Sequence, residues 1–127
     1  MNFDETAEFK KDVKALKKRV PTLQSDLKRA CKLIESLYAR GDDMNEADLR
    51  EYKKLFFAGK NAAILEQSTE YEVVKIRLDT DTNTYRNKLR LVFVAVVTAG
   101  DVVMVELFSK NDKTREDLKR IKKVTNS

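Results

Sequence analysis

Residues 71–110 read YEVVKIRLDTDTNTYRNKLRLVFVAVVTAGDVVMVELFSK. Three segments within this stretch, YEVVKIRLD, LRLVFVAVV and VVMVELFSK, are dense in Val, Ile, Leu and Phe, the side chains that suit a pleated, half-buried surface. A polar run and a TAGD turn separate them. Three strand-like segments joined by turn chemistry predict an antiparallel meander over residues 71–79, 89–97 and 102–110. Most of the chain before the meander reads as helix, and a short basic helix follows it. The expected fold class is therefore α+β: an N-terminal helical hairpin packed on one face of an antiparallel β-meander, a short C-terminal helix, and the chemistry on the other face.

Successive strand side chains point to opposite faces, so the meander can be sorted. In its first strand Val74, Ile76 and Leu78 face one way, and Tyr71, Val73, Lys75 and Arg77 the other. In its second, Leu89, Leu91, Phe93 and Ala95 oppose Arg90, Val92, Val94 and Val96. In its third, Val103, Val105 and Leu107 oppose Val102, Met104, Glu106 and Phe108. This sorting gathers Lys75, Arg77 and Arg90 at one end of a shared face, with Lys110 beside them. A one-residue slip in any strand would break the grouping.

Upstream, residues 2–5 read as a short edge strand and Thr6 as a helix N-cap. Phe9, Val13 and Leu16 recur at helical spacing among lysines, which predicts an amphipathic helix with a basic solvent face. Pro21 ends it and opens a second helix. The second apolar stripe is Leu23, Leu27, Ala30 with Cys31, Ile34, and Leu37 with Tyr38. After a break at Gly41, Asn45 caps a third helix burying Leu49, Tyr52, Leu55 and Phe56, with Gly59 as its stop. Residues 60–70 lack a period and read as a connecting loop. From Thr114 the run REDLKRIKK predicts a terminal helix with Leu118 and Ile121 inward.

The 127 residues fit one domain spanning 1–127, long enough to bury a core. A net charge of +5 favours an anionic partner such as nucleic acid. The single cysteine, Cys31, excludes an internal disulfide and fits a reducing compartment. Its place on an apolar stripe makes it a small buried hydrophobe. The first residues lack the basic and apolar regions of a signal peptide, and the longest apolar run, 91–97, is too short to span a bilayer. A cytoplasmic protein with no membrane association is expected. Histidine is absent, which removes the commonest general base and metal ligand. Residues 79–83 resemble the start of a calcium loop, but Thr84 and Arg90 stand where glycine and an acid are required. The segment reads instead as a solvated, mobile hairpin loop.

Lys75, Arg77 and Arg90 are the most informative constellation. Like charges clustered on one face repel, and they are best tolerated where an anion visits. Arginine suits a phosphodiester because its planar fork gives paired, charge-assisted hydrogen bonds. The basic residues from 110 to 123, Lys113 and Arg115 among them, fit a solubilising tail as well as a phosphate-binding one.

The order of these elements and the wording of the strands resemble the RelE/ParE superfamily of bacterial toxins. TAEFKKDVKAL is similar to the family's first helix, VKIRL to its YKIRL strand, LRLVFVAV to its YRLVY strand, and VVMVELFSKNDKTREDL to its last strand and the turn after it. The resemblance covers most of the chain outside a helix and loop inserted at about 41–70. It implies a RelE-like toxin of a type II toxin–antitoxin system: a ribosome-dependent mRNA endonuclease that needs no metal or other cofactor and is held inactive by a cognate antitoxin. Ribosome and mRNA are then its further partners. The family's basic site residues fall on Lys75, Arg77 and Arg90. The pair after the last strand is half matched, by Lys110, with Asn111 where an arginine is expected; no late tyrosine stands near Leu118. Lys113 and Arg115 are placed to compensate. The implied mechanism is attack of a 2′-hydroxyl on its own phosphate. Arg90 stabilises the phosphorane charge, Lys75 or Arg77 holds the phosphate, and Lys110 supplies the leaving-group proton. Tyr71 and Tyr85 are the expected RNA-stacking residues. The resemblance leaves two alternatives open, a ParE-like toxin that poisons gyrase without nuclease activity and a degenerate member that only binds a protein.

Overall fold

The computed structural model describes residues 2–38, 51, 54, 56–59 and 61–126. The elements in chain order are β1 (Asn2–Glu5), α1 (Ala7–Lys17), α2 (Leu23–Tyr38), β2 (Ala62–Gln67), β3 (Tyr71–Arg77), a 3-10 turn (Asn83–Tyr85), β4 (Leu89–Val96), β5 (Asp101–Ser109) and α3 (Leu118–Thr125). They form an α+β domain around a five-stranded sheet of order β1-β5-β4-β3-β2. β1 lies parallel to β5, and all other neighbours are antiparallel. The expected meander is therefore its centre.

The helical hairpin starts where the sequence places it. Thr6 is extended, and its Oγ1 accepts from the amide of Phe9 at 3.1 Å, so one of the orphan amides of α1 is satisfied. Its own amide donates to Met104 O at 3.2 Å, which ties the start of α1 to β5. Phe9 and Leu16 of α1, and Leu23, Ala30 and Ile34 of α2, are buried with Val74, Ile76, Leu89, Leu91 and Phe93 in one cluster. Leu27 is only half-buried at the edge of this cluster, although the sequence places it at the centre of the stripe.

Several expectations differ from the structure. Residues 60–70 contain strand β2, which pairs with β3 from Ala62↔Ile76 to Gln67↔Glu72 with a bulge between Ile64 and Glu66. As an outer strand it is mostly exposed, so it lacks the alternation that marks a half-buried strand. The predicted alternation in β5 also fails midway. The register moves from Val92↔Glu106 to Phe93↔Met104, leaving Val105 as a bulge. Val102, Met104 and Leu107 consequently join the helical face, while Val105 and Phe108 lie on the other. Residues 79–83 are anchored rather than mobile. Buried Asp26 of α2 accepts from Thr80 Oγ1 at 2.6 Å, Thr22 Oγ1 at 2.9 Å and the amide of Asp81 at 3.3 Å. Arg29 joins the same knot through Asp26 at 3.0 Å and Asp81 at 2.6 Å.

The second face of the sheet is not open either. α3 lies over it and buries Ile121 with Val73, Val92, Val94, Val105 and Phe108. Leu118, expected inward, is 63% exposed. Asp117 caps α3 by accepting from the amide of Lys119 at 3.0 Å. Of the expected third helix, Asn45, Leu49, Tyr52 and Leu55 lie outside the described residues; Phe56 is helical and packs against the first cluster. No described helix is long and apolar enough to cross a membrane.

Candidate functional site

The basic residues predicted from period-two alternation do share a face. Register sets Arg77 on β3 opposite Arg90 on β4, which is opposite Phe108 on β5. One row further in, Lys75 is opposite Val92, which is opposite Glu106. Non-hydrogen-bonded and hydrogen-bonded neighbours alike sit within about 5 Å across such a ladder, so the two arginines are held side by side by the backbone.

Their surroundings differ. Arg90 is buried, and its Nη1 donates to the carbonyls of Asn87 and Leu89, both at 3.0 Å. Asn87 can turn its carbonyl this way because it adopts a left-handed conformation, φ 66°, at the end of the loop. Burial, and then the charge of Arg77, lower the Arg90 pKa from its ordinary value. Arg77 is half-buried, and its Nε is buried with no hydrogen-bond partner among the described residues. Neither guanidinium has a carboxylate counterpart among the described residues. An unpaired buried donor on a permanent cation is an unfavourable arrangement in the empty molecule and a favourable one once an anion oxygen arrives.

The remaining predicted residues divide. Lys75 is neutralised by Glu116, 2.9 Å away. Lys113 is neutralised by buried Glu106 and lies over the Phe108 ring, 5.2 Å from its centroid. The second oxygen of Glu106 accepts from the amide of Asp117 at 2.7 Å, so the same acid fixes the start of α3. Lys110 and Arg115 are exposed at this end of the sheet, and the main chain of Lys110 pairs with Lys88 O at 2.8 Å. The two acids thus offset two of the six cations and leave Arg77, Arg90, Lys110 and Arg115 in excess.

Neither predicted stacking residue is brought to the face of the arginines. Tyr71 sits at the far end of β3, opposite Val96, roughly 20 Å from Arg77 at strand rise. Its hydroxyl donates to Glu66 at 3.0 Å. Tyr85 packs against the helical-face cluster and beneath Arg19, 5.8 Å from its centroid. Phe108 is the aromatic that shares the row of the arginines. Glu106 and Glu116 were missed as members of the site. An acid inside the apolar run VELF was a readable signal for Glu106; nothing local marks Glu116. Cys31 is half-buried, and burial foremost, with Glu35 and Glu5, raises its thiol pKa, which suits packing rather than nucleophilic attack. Among the described residues no three His, Cys, Asp or Glu side chains converge in a way that could hold a metal ion. No family model, curated protein or solved structure matches the chain.

Proposed function

We propose that the Arg77–Arg90 end of the sheet binds an RNA phosphodiester, and that the protein is a RelE-like toxin: a metal-independent, ribosome-dependent mRNA endonuclease of the cytoplasm, restrained by a cognate antitoxin. The observation that carries this reading is the cross-strand pairing of two arginines without a carboxylate partner among the described residues. A bridging phosphate would relieve their repulsion and satisfy the Arg77 Nε, and the guanidinium fork matches phosphate oxygens in pairs. In the reaction the 2′-hydroxyl oxygen bonds to phosphorus and loses its proton as the bond to the 5′-oxygen breaks. The products are a 2′,3′-cyclic phosphate and a 5′-hydroxyl. Arg77 and Arg90 stabilise the extra charge on the non-bridging oxygens. The Glu116 carboxylate, which Lys75 holds at this end, takes the 2′-hydroxyl proton, and the exposed Lys110 ammonium gives a proton to the departing 5′-oxygen.

The deciding measurement is primer extension on translated message in the presence of EDTA. Cleavage is expected to persist, and Arg77→Ala or Arg90→Ala is expected to slow it by about 10²–10³. The double variant should lose less than the product of the two, because both arginines serve one phosphate. Loss of cleavage on adding EDTA, or undiminished cleavage by Arg90→Ala, overturns the mechanism. Gyrase inhibition without any RNA cleavage would instead support the ParE-like alternative.

A further inference from the structure

The two edges of the sheet are guarded differently. β1 is four residues long and carries Asp4 and Glu5, a short, charged edge that discourages a further strand. β2 has no such guard. Residues 61–69 read NAAILEQST, with Glu66 the one charge in nine residues of a chain that is 37% charged. The Glu66 carboxylate accepts from the Tyr71 hydroxyl at 3.0 Å, which holds it against its own sheet. Neither lysine nor proline stands in the strand. Ala63, Ile64, Glu66 and Gln67 are exposed, and Ile64 is one of two large apolar side chains exposed among the described residues. The main chain of Asn61 turns towards β3, its carbonyl accepting from Arg77 N at 2.7 Å. By alternation the amides and carbonyls of Ala62 and Ile64 point away from the sheet, where no described strand takes them. This strand lies within residues 41–70, outside the part of the chain that resembles the RelE/ParE superfamily.

We propose that the β2 edge pairs with the β2 edge of a second copy of this chain, antiparallel about a two-fold axis at Ala63. Ala62 and Ile64 of one copy then exchange main-chain hydrogen bonds with Ile64 and Ala62 of the other, and every outward group of the regular run is satisfied. Ala63 meets its own copy in a non-hydrogen-bonded pair, where side chains come closest and a small residue fits. The next pair, Asn61 with Leu65, sets no charge against charge. The run is thus its own complement, and a second copy removes the hazard of an unguarded apolar edge without any other component. Such a contact is isologous, so each copy uses up its open edge and the assembly closes at two. The bulge between Ile64 and Glu66 ends the regular run, and the acidic β1 edges at the outer ends of the joined sheets stop further growth. One strand pair buries less than a standard interface, so the dimer is weak and dissociates on dilution. The inference is independent of the RNA reading, since it uses neither arginine and no cation of the second face.

The test uses the full chain. Sedimentation velocity from micromolar to millimolar concentration should show a monomer–dimer equilibrium with no larger species. Hydrogen exchange at the Ala62 and Ile64 amides should slow as the dimer forms. Ile64→Lys places a charge beside the axis and should weaken association at least about tenfold. Thermal unfolding of its monomer should be unchanged, because that side chain is 37% exposed. Cross-linking supplies a second measurement. In a Cys31→Ser background, Ala63→Cys should form a disulfide-linked dimer on mild oxidation, because a non-hydrogen-bonded pair brings the two Cβ atoms to about 4.5 Å, within disulfide reach. Gln67→Cys, away from the axis, should cross-link far more slowly. A single monomeric species at every concentration, growth beyond the dimer, association unmoved by Ile64→Lys, or cross-linking of Gln67→Cys as fast as that of Ala63→Cys would each overturn the proposal. Failure here leaves RNA cleavage untouched, and loss of cleavage in Arg90→Ala leaves dimerisation untouched.

Discussion

Glu116 reaches Lys75 from a segment 41 positions along the chain, and this one contact decides which of the strand cations is free. Burial alone would raise the Glu116 carboxyl; the hydrogen bond from Lys75 and its charge outweigh that and hold the pKa below its ordinary value. A carboxyl with a depressed folded pKa contributes stability that is fully present above its unfolded pKa and disappears as pH falls through the folded one. Glu116→Gln is therefore expected to be less stable than the wild type at neutral pH, by on the order of 1–3 kcal/mol for a charged hydrogen bond between largely buried partners. The difference should close as pH falls below the ordinary carboxylate value of 4.5. Urea titrations of both proteins across that range check it, and a gap that stays constant with pH would rule the ion pair out as the cause. The alternation of apolar and polar positions in YEVVKIR and LRLVFVAV made the common face of Lys75, Arg77 and Arg90 legible. It could not reveal that Lys75 is neutralised, because contacts made across the fold leave no local pattern. The same limit hid Asp12, whose carboxylate accepts from Leu107 N at 3.0 Å and pairs with Arg120 at 2.6 Å, joining α1 to both β5 and α3.

At the level of elements, the legible ones were those with one buried face. Thr6, Pro21 and the TAGD turn fixed boundaries by backbone chemistry. Gly100, at φ 71°, closes the turn between β4 and β5 in a conformation that other residues rarely adopt. β2 escaped notice because an outer strand is defined by main-chain pairing alone, and the bulge at Val105 because one inserted residue inverts every later side chain. α3 was legible as a helix, but not as a cover for the second face. Its single fully buried side chain is Ile121; otherwise it is held by Arg120 to Asp12 and Glu8, and by Lys123 to Glu8 at 3.5 Å. Ile121→Ala should therefore cost about 2–5 kcal/mol or detach the helix outright, with faster amide exchange over 118–125. Leu118→Ala should stay within about 0.5 kcal/mol, since that side chain is mostly in solvent. Comparable losses for the two variants would mean that α3 is turned differently on the sheet. By the same argument Leu23→Ala or Ile34→Ala, at fully buried positions, should cost more than Leu27→Ala at the edge of the cluster.

For the whole molecule the two faces of the sheet carry different demands. The helical face holds most of the apolar core, and one of its buried polar groups, Asp26, is fully engaged with Thr22, Thr80 and Arg29. The second face carries two neighbouring arginines; burial, and then the charge of Arg77, lower the Arg90 pKa, and the pair's nitrogens are not all satisfied. Like charges directly opposite on adjacent strands destabilise a sheet by a few tenths of a kcal/mol to about 1 kcal/mol. An unpaired buried donor adds to that. The domain should thus be more stable without one of them. Arg77→Met keeps the length and the apolar stem of the side chain while removing the charge and the stranded Nε. Its melting temperature is expected to rise by a few degrees, given that about 1 kcal/mol corresponds to roughly 2–8 °C in domains of this general size. Inorganic phosphate should then separate the readings. If the pair is kept for an anion, phosphate raises the melting temperature of the wild type by mass action and leaves Arg77→Met nearly unmoved. Should Arg77→Met instead prove less stable than the wild type in the absence of phosphate, Arg77 belongs to the scaffold, and the argument for an anion site at the Arg77–Arg90 pair falls with it.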